Sequence, residues 1–221
     1  MELSNFLQAF LQQETAVELA RMGIVYVHLI ACCVAVGLIL TSDVALIRNL
    51  LRGGAAEPEQ AQHLEHLKKS VSLALIVLWV SGIGIVGLDY AGKGMEYFLN
   101  PKLQAKVTIV TLLTLNGFIL HGTVLPALQK SGSLLQLTPG LRSLALLAGS
   151  VSAVSWFYAA MLGIGRPLAW KYSLLELMAA YPLLIIAGFL GMQLLCNWAE
   201  RRSQDEAAQD TWQSGVLVTS R

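Results

Sequence analysis

Five long apolar segments dominate this chain of 221 residues. Each holds about 21–26 residues, and a helix of that length, rising ~1.5 Å per residue, can cross the ~30 Å hydrocarbon core of a bilayer. Each has to be helical, because lipid offers the backbone amides no hydrogen-bond partners. The predicted spans are residues 22–47, 70–90, 103–127, 143–164 and 173–198. We therefore predict an all-α fold, an integral membrane bundle of five transmembrane helices forming one domain over residues 1–199.

Composition and charge indicate the environment and the partners of this domain. Hydrophobic residues make up 55% of the chain and charged residues 13%, whereas soluble domains carry about 25% charged residues. The formal net charge of +1 gives no argument for nucleic acid as a partner. The expected partner is the lipid bilayer, and a second copy of the chain or a larger membrane complex is a further candidate.

The two ends of the chain have their own patterns. Residues 3–11 place an apolar stripe on one helical face, which predicts a short N-terminal interfacial helix lying on the membrane. Residues 200–221 are polar and charged, and are predicted to form a disordered C-terminal tail. Lys and Arg are somewhat more frequent in the first and third loops and the near tail than on the opposite side. This asymmetry favours an outside N-terminus and a cytoplasmic C-terminus.

Ionisable residues inside two of the predicted spans form pairs of equal spacing. His28 and Asp43 lie in the first span, Lys106 and His121 lie in the third, and fifteen residues separate the members of each pair. That spacing corresponds to ~22 Å of helix. If the two spans lie side by side in the same direction, His28 is level with Lys106 near one face and Asp43 with His121 near the other. Such groups are costly at membrane depth, so they usually face the interior of a bundle and serve a function.

The outer level of the predicted bundle receives a polar group from every span. From the first span to the fifth, these groups are His28, Asp89 with Tyr90, Lys106, Arg166 and Glu176. Such a layer could hold an anionic ligand, relay protons or seat the propionate of a cofactor. The alternative is that several of these side chains only mark helix ends and extend to water.

The inner level offers an intramembrane polar pair, Asp43 with His121. A carboxylate beside an imidazole stabilises the charged ring and fixes its tautomer. The pair is therefore either a proton relay or a clasp between helices.

Haem is the cofactor that these residues suggest, because imidazole ligates its iron in many proteins. A haem b site would use His28 as axial ligand and Lys106 as second ligand or propionate partner, with Trp79 and Glu176 as further candidate binding residues. A site formed by His28 and His121 together is disfavoured, because the two lie about 13–20 Å apart in depth on the same helical rise.

The sequence supplies few ligands for a site that binds a metal ion without an organic cofactor. His63 and His66 lie three apart on a polar segment that supplies too few further ligands. The three cysteines, Cys32, Cys33 and Cys196, are an odd number and do not suggest a disulfide framework. We predict no metal ion site.

The loop between the second and third spans resembles a known family. Residues 92–101 carry Gly-Lys-Gly, then aromatic residues and Asn-Pro, with Lys106 following. This series resembles that of an uncharacterised family of small bacterial integral membrane proteins. His28, Trp79 and Lys106 are also similar in placement to residues of HemJ-type membrane proteins, linked to haem-biosynthetic oxidation, and of CopD-type membrane proteins, linked to copper handling.

The resemblance covers spans one to three, about half of the chain. It implies a multi-pass helical bundle of a bacterial inner membrane. His121 and Glu176 have no counterpart in it, and the chain lacks the Met-rich or His-rich stretches expected for copper. Catalytic residues do not carry over, so whether the chain is an enzyme stays open.

Three functions compete on this basis. The first is a haem-binding or redox-linked membrane protein that depends on His28. The second is a proton or small-solute transporter component, in which Asp43, His121 and Glu176 matter more. The third is a non-catalytic assembly or structural partner of a membrane complex.

Overall fold

The computed structural model describes the backbone of residues 14–52, 60–165 and 170–219 and the side chains of residues 16–52, 65–165 and 170–205. Within these ranges the chain forms five long helices, each long and apolar enough to cross a membrane. They are α1 (Glu14–Leu51), α2 (Gln60–Lys93), α3 (Pro101–Ser131), α4 (Pro139–Ile164) and α5 (Leu174–Thr219). The all-α class and the five membrane-capable helices are confirmed. The interfacial helix predicted over residues 3–11 lies outside the described residues.

The helices are longer than the apolar spans, because hydropathy marks only the part of a helix that lipid surrounds. Helix α2 takes in much of the polar stretch that the sequence assigns to the first loop. Helix α5 continues to Thr219, into the segment predicted to be a disordered tail. The Ala, Glu and Gln residues of this segment have high helix propensity, which favours continuation of the helix beyond the membrane.

The helices do not pack as predicted for the first and third spans. Helix α1 packs along α2, and α4 packs against both α3 and α5. The side-by-side packing predicted for spans one and three is thus replaced by α1 against α2. Helices α1 to α4 meet in one cluster of buried side chains, which consists of Ala35, Ala74, Leu113 and Trp156.

Polar side chains fasten the helices to one another at several depths. Asn116 of α3 donates to the carbonyl of Ala148 in α4 at 2.8 Å. Between α4 and α5, the Tyr158 hydroxyl donates to the Leu177 carbonyl at 2.7 Å. Since lipid cannot replace these partners, such bonds help to fix which faces meet.

A single wider turn interrupts α3. Residues Leu120–Val124 form a π-helical turn, in which the amide of Leu125 donates to the carbonyl of Leu120, five residues back. Pro126 follows and has no amide hydrogen for the bond that an α-helix would require there. Turns of this type add one residue and rotate the side chains on either side relative to one another.

Candidate functional site

His28 of α1 faces α2. Its Nδ1 lies 2.8 Å from Oγ of Ser81, and the ring is half-buried while Ser81 is buried. The neighbouring Gly82 leaves room for the imidazole, since a Cβ atom at that position would lie 3.6 Å from Cε1 of His28. The small residues Ser81 and Gly82 therefore allow the ring to lie against α2. The other ring nitrogen, Nε2, forms no hydrogen bond to any described residue.

Lys106 brings an ammonium group to the same level. It is half-buried near the start of α3 and is close enough to interact electrostatically with His28 and with Cys32, which lies one turn after His28 on α1. Within the described side chains Lys106 forms no ion pair or hydrogen bond. The nearby Lys102 donates through Nζ to the carbonyl of Gly165 at 2.7 Å. The site therefore combines an imidazole with an ammonium that forms no ion pair with any acid among the described side chains.

Asp89 lies near the C-terminal end of α2 and has partners other than His28 and Lys106. Its carboxylate accepts from Nε of Arg21 at 3.1 Å and lies 3.6 Å from Nζ of Lys93, and the hydroxyl of Tyr97 donates to it as well. Asp89 thus fastens α1, α2 and the turn that follows α2. Arg21 was not among the predicted site residues, although a cation directly before the first span and an acid at the end of the second could have indicated this ion pair.

Glu176 forms a helix cap and does not contribute to the outer layer. One carboxylate oxygen accepts from the amide and from the hydroxyl of Ser173, both at 2.8 Å, and the amide of Glu176 donates to Oγ of Ser173 at 3.3 Å. This is the reciprocal Ser-x-x-Glu capping box. Both residues are exposed, and the role of Glu176 in binding a cofactor stays a prediction. Arg166 lies outside the described residues.

Trp79 is held by a bond between helices. Its Nε1 donates to Oγ1 of Thr114 in α3 at 3.0 Å, and Thr114 in turn donates to the carbonyl of Val110 at 2.7 Å. This bond connects α2 to α3 and gives the only polar atom of the indole side chain a hydrogen-bond partner.

Asp43 and His121 do not form the predicted pair. No hydrogen bond or ion pair joins them or reaches another side chain from either one among the described residues. The charged groups nearest His121 are Lys68 and Glu65 of α2. The prediction assumed that the first and third spans lie side by side, whereas α1 packs along α2 and α3 packs against α4. His121 itself lies in the π turn of α3.

Two further findings bear on function. The part of the chain that the structure describes contains no group of three or more His, Cys, Asp or Glu residues placed to hold a metal ion. Comparison with protein-family models, with curated proteins and with solved structures gave no match for the chain. The resemblance to HemJ-type and CopD-type proteins therefore stays a prediction.

Proposed function

We propose that this chain is a multi-pass protein of a bacterial inner membrane that binds haem b beside His28 and takes part in redox-linked chemistry. The observation that carries the proposal is a half-buried imidazole, on a helix apolar enough to cross a membrane, within electrostatic range of Lys106, whose ammonium has no ion pair among the described side chains. Ionisable groups at such depth usually serve a function. The proposed orientation, with the N-terminus outside, places this pair in the outer half of the bilayer.

The chemistry of the two groups fits haem. An imidazole nitrogen is a common axial ligand of haem iron, and Nε2 of His28 has no hydrogen-bond partner in the described structure that would compete for its lone pair. Haem propionates are carboxylates, and Lys106, which has no acid partner among the described side chains, supplies a cation that can pair with a propionate. When bound, haem would supply one-electron transfer.

The remaining contacts describe what the chain itself contributes. Ser81 holds the ring of His28 against α2. The bond from Trp79 to Thr114 fixes α2 against α3. These two connections keep the helices that bear His28 and Lys106 at a defined separation, which a preorganised site requires.

The absorption spectrum of the purified protein tests this proposal. Cells should be supplied with a haem precursor during expression, and the detergent-solubilised protein should show a Soret band that shifts on reduction. Haem-free protein titrated with haemin should reach a stoichiometry of about one per chain, since the proposal uses one imidazole, that of His28, as axial ligand. A colourless preparation that also fails to bind added haemin would overturn the proposal.

A second candidate function is a proton path. Two polar side chains in the half of the bundle away from His28 have no hydrogen-bond partner among the described residues. Asp43 is a half-buried carboxyl group without a bond to any described residue, and Nδ1 of His121 is buried without a hydrogen bond. Buried polar atoms are seldom left in this state without a functional reason.

Proton uptake into proteoliposomes, driven by a potassium diffusion potential and followed with an enclosed pH-sensitive dye, tests the second candidate. Uptake should exceed that of empty vesicles and should fall severalfold in Asp43→Asn and His121→Gln. The exposed Asp205, in the C-terminal half of α5, provides the control, and Asp205→Asn should leave uptake unchanged. Flux equal to that of empty vesicles, or equal in all variants, would exclude a proton path through these residues.

A further inference from the structure

We propose that Ser81 sets the tautomer of His28, so that Nδ1 carries the hydrogen and Nε2 is the ring atom that binds a ligand. The starting point is the number of hydrogens available. A serine hydroxyl has a single hydrogen to donate and two lone pairs with which to accept. Oγ of Ser81 lies 2.5 Å from the carbonyl oxygen of Val77 and 2.8 Å from Nδ1 of His28.

The shorter of these two contacts takes the hydrogen of the hydroxyl. A carbonyl oxygen can only accept, and two oxygens approach to 2.5 Å only when a hydrogen lies between them. The hydroxyl of Ser81 therefore donates to Val77, one turn earlier on α2, as serine residues in helices often do. Its oxygen is then left as an acceptor, and the contact with His28 needs a hydrogen on Nδ1.

The state of Nε2 follows from this assignment. A neutral imidazole carries one hydrogen, so the tautomer with hydrogen on Nδ1 presents a lone pair at Nε2. Ser81 is only 7% exposed, which limits competition from water for its oxygen. The ring is thus oriented by α2 and offers its free nitrogen on the side away from Ser81, as in histidines whose second nitrogen is held by a supporting hydrogen bond while the first binds a metal.

Ser81 is accordingly a positioning residue that acts through His28. Its role in haem binding rests on the proposed function, but the tautomer of His28 exists without haem. The two statements can therefore fail separately. A colourless protein overturns haem binding alone, whereas the other tautomer in the haem-free protein overturns only the role of Ser81.

Nitrogen-15 NMR of the haem-free protein in detergent, labelled at its four histidines, tests the tautomer directly. The signals of His28 are identified by their loss in His28→Ala. The wild-type protein at a pH where the ring is neutral should show a protonated Nδ1 and an unprotonated Nε2. The reverse pattern in the wild-type protein would overturn the proposal without the need for any variant of Ser81.

Variants of Ser81 then test whether this residue sets the tautomer of His28. In Ser81→Ala the acceptor is lost, and the spectrum should shift towards a mixture of tautomers. Ser81→Thr keeps an oxygen at the same position and should restore the wild-type pattern. Ser72→Ala removes another hydroxyl from α2, one without a bond to His28, and should change nothing. An unchanged tautomer in Ser81→Ala would contradict the proposal.

The haem-loaded protein provides an independent readout. Loss of a supporting hydrogen bond typically weakens metal binding 10- to 100-fold, so Ser81→Ala should bind haem about tenfold more weakly. It should also show a higher reduction potential, because the imidazole becomes a weaker electron donor to the iron. Equal affinity and equal potential in Ser81→Ala and the wild type would show that Ser81 has no positioning role.

Discussion

The variant His28→Ala should lose the Soret band and bind haem at least about 100-fold more weakly than the wild type. The expected loss exceeds that for Ser81→Ala, because removal of the iron ligand itself costs more than removal of a supporting bond. The fold should tolerate the change. The imidazole is only half-buried and makes one hydrogen bond to a described residue, that with Ser81. Absorption spectra and haemin titrations of the two proteins in one detergent measure the effect.

Matched variants distinguish the loss of the iron ligand from the loss of any histidine or of a nearby charge. His66→Ala removes an exposed histidine of α2 and should leave the spectrum as it is in the wild type. Lys106→Ala should weaken haem binding with little change in the band, since it removes a charge and leaves the proposed ligand in place. An unchanged band and affinity in His28→Ala would show that the iron is bound elsewhere.

The arrangement of the helices explains what the sequence predicted well and what it could not. Length and hydropathy are local properties, so five membrane-capable helices could be predicted from single segments. The partner of each helix is not local. The contact of His28 with Ser81 joins residues 53 apart, and that of Arg21 with Asp89 joins residues 68 apart. Both depend on α1 packing against α2, which apolar segments that all resemble one another do not specify.

Two other differences have local causes, and these could have been found. The third span was predicted as one regular helix, but Pro126 cannot donate the bond that such a helix requires, and a π turn precedes it. Glu176 has a serine three residues before it, the pattern of a capping box, and the structure forms that box. Both differences follow from short sequence motifs, which a prediction based only on the depth of each residue in the membrane does not use.

Truncation of a buried side chain at the centre of the helix packing should have the second large effect. Leu162 of α4 is 0% exposed and packs in one cluster with Ile109 of α3 and with Leu177 and Tyr181 of α5. In water, replacing such a leucine by alanine costs about 2–5 kcal/mol, as the sum of a transfer term and a cavity term. In a membrane the separated helices leave this side chain in lipid, so most of the transfer term disappears. We therefore expect Leu162→Ala to lower the free energy of unfolding by about 1–3 kcal/mol, chiefly through lost van der Waals contacts.

The same helix provides the control for this interpretation. Ile164 lies two residues further along α4 and is 82% exposed, so its side chain meets lipid both before and after the helices separate. Ile164→Ala should therefore change the free energy of unfolding by less than about 0.5 kcal/mol. Unfolding in mixed detergent micelles, followed by circular dichroism as the denaturing detergent is increased, measures both variants. Equal destabilisation would contradict the prediction that burial of Leu162 between α3 and α5 stabilises the bundle.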